Sequence, residues 1–117
     1  MPLHKESRMQ QACVQWFRMQ YPELAINLFA VPNGVATSAT QGRILKAEGM
    51  VAGVADLILM YPNADHHGLC IEMKTKEGTQ RPTQKAWQQA VERYGYRYVV
   101  VRDIDTFIST IQNYIGK

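Results

Sequence analysis

The segment Val54 to Tyr61 reads VADLILMY, and after Asp56 no charged residue interrupts it. A strand that is apolar on both faces has to be covered on both sides. That requirement excludes an open sheet with one wet face and asks for helices above and below a sheet. The turn PNADHHG (62–68) follows, and LCIEMK (69–74) comes next, so the two apolar runs are expected to pair as a hairpin. The second run breaks the pattern of the first. Leu69, Ile71 and Met73 alternate onto one face, while Cys70, Glu72 and Lys74 share the other. Those two charges are either solvated decoration or part of a site.

The remaining elements follow from periodicity. Met9, Ala12, Cys13, Trp16 and Phe17 keep helical spacing over residues 4–20, and Pro22 ends that helix. INLFAV (26–31) reads as a short strand closed by the turn PNG (32–34). A helix is expected over 37–48, with Gly49 as its stop. Pro82 suits a first helical position, and the helix it opens runs to about Tyr94, with Ala86, Trp87, Ala90, Val91 and Tyr94 inside. YRYVVV (96–101) is a strand, and Asp103 or Asp105 caps a last helix carrying Phe107, Ile108, Ile111 and Ile115. The order α-β-α-β-β-α-β-α describes an α/β fold, a small mixed sheet flanked by helices on both faces.

A chain of 117 residues is one domain, residues 1–117, and large enough to hold a core without disulfides. Cys13 and Cys70 have no metal-type spacing and read as reduced core thiols of a cytoplasmic protein. The start, MPLHKESRMQQ, has no apolar stretch of signal-peptide type, and no apolar run approaches the roughly 20 residues of a membrane span, so no membrane partner is expected. A net charge of +3 permits nucleic-acid binding without requiring it. His66 and His67 are expected to be exposed at the hairpin tip, and the methionines to fill core.

Three acidic positions stand out. On a wheel of about 100° per residue, Glu6 falls within about 20° of Cys13 and Phe17, inside the apolar arc. A carboxylate there is paired or bound, or it sits at a frayed helix start and reaches water. Asp56 is either a solvent-facing turn residue or a group at a strand mouth where backbone approaches closely. Glu72 and Lys74 project from one strand face roughly 7 Å apart, and a hairpin brings Asp56 to their end of the sheet. Metal-assisted phosphodiester cleavage fits these residue types. Two carboxylates and the Met73 carbonyl offer hard oxygen ligands for Mg²⁺, for which Mn²⁺ would substitute. The lysine would orient or deprotonate a water and offset phosphate charge.

The spacing VAD then EMK is similar to the D…E-x-K signature of the PD-(D/E)XK nuclease superfamily. FAVPNG, LKAEGMVAGVADLIL, IEMKTKEGTQRPTQKAWQ and YGYRYVVVRD together resemble the VRR-NUC domain family, over Glu6 to about Ile111. The resemblance implies a restriction-endonuclease-like core and a Mg²⁺-dependent nuclease. It implies Asp56 and Glu72 as metal ligands, Lys74 as the catalytic lysine, Glu6 as completing the metal site and Gln84 as lining it. Ala55 departs from the proline common before the aspartate, which loosens a turn and removes no ligand.

The resemblance further implies a homodimer that acts on branched DNA, Holliday-junction or flap-like. Lys76, Arg81, Lys85, Arg43 and Lys46 are the basic residues placed to meet phosphates, and Asn33 in PNG is placed for close backbone approach. The expected function is a structure-selective, metal-dependent DNA endonuclease. The alternative is a non-catalytic nucleic-acid-binding or assembly module that keeps the nuclease fold.

Overall fold

The structure, a computed structural model, describes residues 2–32 and 38–117. Helix α1 (Pro2–Gln20) leads through a 3₁₀ turn (Pro22–Asn27) into β1 (Leu28–Ala30). Then come α2 (Ala39–Ala47), β2 (Leu57–Leu59), β3 (Leu69–Met73), α3 (Pro82–Arg93), β4 (Arg97–Val101) and α4 (Ile104–Ile115). The expected order of helices and strands is the observed one. The sheet order is β1-β2-β3-β4, with β1, β2 and β3 antiparallel and β4 parallel to β3. It is a mixed sheet, and the crossover helix α3 supplies the long connection that a parallel pair needs.

Alternation along the strands sorts the core into two layers. Leu28, Leu57, Leu59, Leu69, Ile71, Met73 and Val101 pack on one face against Cys13 and Phe17 of α1 and Phe107, Ile111 and Tyr114 of α4. Ala55, Cys70 and Tyr98 form the other layer, with Ile58, Val100 and the α3 residues Trp87 and Val91. Every residue of β3 is buried, so the strand that carries Glu72 is the covered centre of the sheet.

Several expectations need correction in detail. The strand expected over 54–61 forms ladder only at Leu57–Leu59. Asp56 ends it by offering its carboxylate, in place of backbone, to the N–H of Met73 at 2.7 Å. The strand expected over 26–31 begins at Leu28, because Pro22 opens a 3₁₀ turn that uses residues up to Asn27. Helix α2 begins after Ser38, whose hydroxyl accepts the N–H of Gln41 at 3.0 Å. Met73 is buried core, but Met19, Met50 and Met60 are exposed. His66 is half-buried against Tyr114, and only His67 is exposed at the tip. Both cysteines are buried free thiols, as expected.

Gly53 holds the 50–54 segment against α3. Its φ is +88°, and a Cβ there would lie 2.2 Å from the carbonyl oxygen of Thr83. Only glycine allows that approach without strain. The contact sets the entry to β2, and therefore Asp56, beside the first turn of α3.

Candidate active site

The carboxyl end of β3 assembles the site on the face that α3 covers. Leu57 pairs with Ile71, so Asp56, one residue earlier, stands across the hairpin from Glu72. Its Oδ2 accepts the Met73 N–H, which fixes it beside the peptide between Glu72 and Lys74. Lys74 follows the end of β3 and continues the parallel pairing, its N–H donating to Val101 O at 3.0 Å. Glu72 is 0% exposed and Lys74 8%. Neither is surface decoration. Ionised groups so deep in a fold are expensive unless paired, and these two pair with each other, Nζ to Oε2 at 3.5 Å.

The two oxygens of Glu72 are treated differently. Oε1 accepts from the Tyr98 hydroxyl and from Gln80 Nε2 at 3.2 Å. Oε2 is buried and, among the described residues, no hydrogen-bond donor reaches it. The Lys74 ammonium at 3.5 Å is well beyond the roughly 2.7–2.9 Å of a charge-assisted hydrogen bond. Burial pushes the Tyr98 hydroxyl pKa far above its ordinary value, helped by the Glu72 carboxylate and, to a smaller degree, by Asp56. Tyr98 is therefore a neutral donor throughout the physiological range.

A hard divalent cation suits this donor set. It would meet an anionic, buried Oε2 that lacks a hydrogen-bond donor among the described residues, with a second carboxylate, Asp56, across the hairpin. Among the described residues no group of three or more His, Cys, Asp or Glu side chains is placed to hold a metal ion. The acidic set is thus two carboxylates, with water and carbonyl oxygen left for the other positions, as Mg²⁺ commonly accepts.

Glu6 is not gathered into this set. It is half-buried on α1, the helix on the other face of the sheet, and lines an open groove of about 700 Å³ with Gln10, Val14, Arg18 and Ala30. Gln84 is 5% exposed and belongs to the third position of α3. Its Oε1 accepts the Arg81 N–H at 2.8 Å, which ties down an otherwise open donor at the helix start. The glutamine that reaches Glu72 is Gln80, four residues earlier. Lys76, Arg81 and Lys85 are exposed along the loop and first turn that leave the site, and Arg43 and Lys46 are exposed on α2. Asn33 lies outside the described residues.

Sequence reasoning missed three side chains and the role of a fourth. Tyr98 and Gln80 hold Glu72, and Gln88 holds Gln80 through Oε1 at 2.8 Å. Arg102, which stands at the end of β4, turns its guanidinium back onto the loop after Lys74. It donates to Thr75 O at 2.9 Å, Gly78 O at 2.7 Å and Lys76 O at 3.4 Å. The available signal was slight: Tyr98 alternates with Val100 toward the Glu72 face, and an arginine is the one side chain able to fork onto several carbonyls.

Comparisons with known proteins agree with this architecture. A model of the VRR-NUC domain matches residues 4–103. A solved structure described as a VRR-NUC domain protein is similar to this chain, with 30% identity over 95% of this chain and 88% of its own, at a TM-score of 0.83. No curated protein matches.

Proposed function

The chain belongs to the VRR-NUC domain family, a nuclease-type fold, and from that premise we propose that it is a metal-dependent DNA endonuclease selective for branched or flapped DNA. The observation that carries the reading is the buried Glu72–Lys74 pair, its Oε2 without a hydrogen-bond donor among the described residues, set across the hairpin from Asp56. A carboxylate and an ammonium that can be buried only as a pair sit side by side in a covered strand, where an apolar pair would have cost less, and such perturbed groups cluster at functional sites.

In this mechanism Asp56 and Glu72, with the Met73 carbonyl, would hold Mg²⁺ or Mn²⁺, which would supply Lewis acidity at the phosphoryl oxygen and a water of lowered pKa. Lys74 points its ammonium at the same place and offsets the negative charge that builds on the phosphate. The water oxygen forms the new P–O bond and gives up a proton to solvent, one ester P–O bond breaks, and the departing sugar oxygen takes a proton from solvent. The Met73 N–H keeps Asp56 in register with Glu72, so the two carboxylates need no reorganisation to act together.

Lys76, Arg81 and Lys85 extend from the site and carry the phosphate backbone, with Arg43 and Lys46 on α2 as further contacts and Asn33 before it. One site per chain and two strands per duplex favour a homodimer. Glu6, on the far face of the sheet, is assigned to the approach along α1 rather than to the metal. The absence of a third carboxylate among the described residues is the one observation that favours a binding module without turnover.

Cleavage of a panel of plain duplex, single strand, flap and four-way junction, each with Mg²⁺, Mn²⁺ or EDTA, separates the two. The nuclease reading expects metal-dependent cutting that favours the branched members. Binding with no cutting in any tube would leave the module reading.

A further inference from the structure

The asymmetry of Glu72 has identifiable causes. Oε1 accepts twice, from the Tyr98 hydroxyl and from Gln80 Nε2 at 3.2 Å, while Oε2 has no hydrogen-bond donor among the described residues and faces Lys74. We propose that Tyr98 and Gln80 are positioning residues, which occupy Oε1 and so commit Glu72 to present Oε2 alone, singly charged, to a divalent cation. The proposal deepens the nuclease reading above and rests on it.

Three features argue for a built device rather than incidental packing. First, both donors are neutral. Lys74 already faces Oε2, and a second lysine or arginine, on Oε1, would leave the carboxylate no net charge to offer a cation. Second, the Tyr98 ring has little freedom. It is 6% exposed, packs against Trp87 at 6.0 Å, and belongs to the layer of Ala55 and Cys70. Its strand pairs Tyr98 with Cys70, two residues before Glu72 on the same face, so the hydroxyl reaches along the strand to the carboxylate.

Third, the direction of the Gln80 amide is imposed from outside. Gln88 donates Nε2 to Glu92 Oε2 at 3.3 Å, and Gln80 donates Nε2 to Gln88 Oε1 at 2.8 Å. An ionised carboxylate only accepts. With Glu92 at one end and Glu72 at the other, each amide in the chain has one sensible orientation, and it turns the NH₂ of Gln80 inward. Groups that orient a ligand in this way commonly matter about as much as the ligand itself, about 10–100-fold in affinity or activity.

The test uses the full chain as Tyr98→Phe and Gln80→Leu. Mn²⁺ affinity is measured by calorimetry without DNA, and cleavage kinetics are measured in parallel. Tyr98→Phe keeps the ring against Trp87 and removes only the hydroxyl. The expected result is an Mn²⁺ affinity lower by about tenfold or more in each variant, with kcat lower and KM for DNA unchanged. A purely structural role would instead lower the melting temperature and leave Mn²⁺ affinity alone. Should Tyr98→Phe fail to fold, Gln80→Leu, altered in a half-buried loop position, carries the test. Wild type that binds Mn²⁺ and cuts, beside variants of equal or tighter Mn²⁺ affinity, overturns this inference alone. Wild type that neither binds Mn²⁺ nor cuts overturns the nuclease reading and this inference with it.

Discussion

Oδ2 of Asp56 accepts the backbone N–H of Met73 at 2.7 Å. A side chain of one strand thereby takes the place of a backbone partner on the next, at the step where the β2–β3 ladder stops. The consequence is positional. Asp56 is locked to the peptide that separates Glu72 from Lys74, so the spacing of the three groups is set by covalent geometry and one hydrogen bond rather than by flexible side chains.

The first prediction concerns Arg102. Its guanidinium holds the carbonyls of Thr75, Lys76 and Gly78, the loop that begins directly after Lys74. Arg102→Ala is expected to release that loop, speed amide exchange over residues 75–80 and lower catalytic turnover, at a stability cost of about 1 kcal/mol because the guanidinium is solvent-exposed. Arg102→Lys should restore only part, since one ammonium cannot fork onto several carbonyls. Hydrogen exchange at those amides checks it, and unchanged protection would contradict the clamp.

Both thiols are predicted to be silent at ordinary pH. Burial raises the pKa of Cys13, with a smaller push from Asp103, and burial alone raises that of Cys70, each from 9.0 to about 11. The native thiols thus stay neutral where unfolded ones ionise. The stability they allow is complete below pH 9.0 and is lost as pH rises toward about 11. Urea unfolding between pH 8.5 and 10, below the range where the buried Tyr98 and Tyr114 hydroxyls add their own loss, should show the decline, about half of it removed in a Cys70→Ala protein. At pH 8 a thiol reagent should label the unfolded chain rapidly and the native one slowly.

The layering of the fold was legible because burial follows from composition along a strand. VADLILMY has no wet face, so helices on both sides were required, and α1 with α4 on one face and α3 on the other supply them. Glu72 and Lys74 were legible because they interrupt such a run. Glu6 shows the limit of a helical wheel. The wheel places Glu6 on the inner side of α1, yet it cannot say which face of the sheet α1 covers, and that face is the one opposite Glu72. Gln84 shows another limit. Pro82 and the Arg81 N–H make its position a cap, so its Oε1 serves the helix start, a second task that the sequence pattern did not reveal, while Gln80 reaches Glu72. Tyr98 and Gln80 come from a later strand and a loop. Their contacts with Glu72 are tertiary pairings that no local pattern encodes.

The buried pair itself offers the most direct measurement. Lys74→Met keeps most of the stem and removes the charge, and Lys74→Ala removes both; each leaves Glu72 without its ion-pair partner at a cost of about 3 kcal/mol or more. The protein should remain folded in conditions where its melting temperature is checked, and Mg²⁺ should then raise it, because the cation relieves the unpaired carboxylate. Single-turnover cleavage of a flap or four-way junction with Mg²⁺, by wild type and by Lys74→Met with DNA binding recorded in the same samples, tests the central claim. The account predicts cutting by wild type that falls by about a hundredfold or more in Lys74→Met while binding persists. Equal cutting by the two proteins would contradict the assignment of Asp56, Glu72 and Lys74 as the catalytic centre.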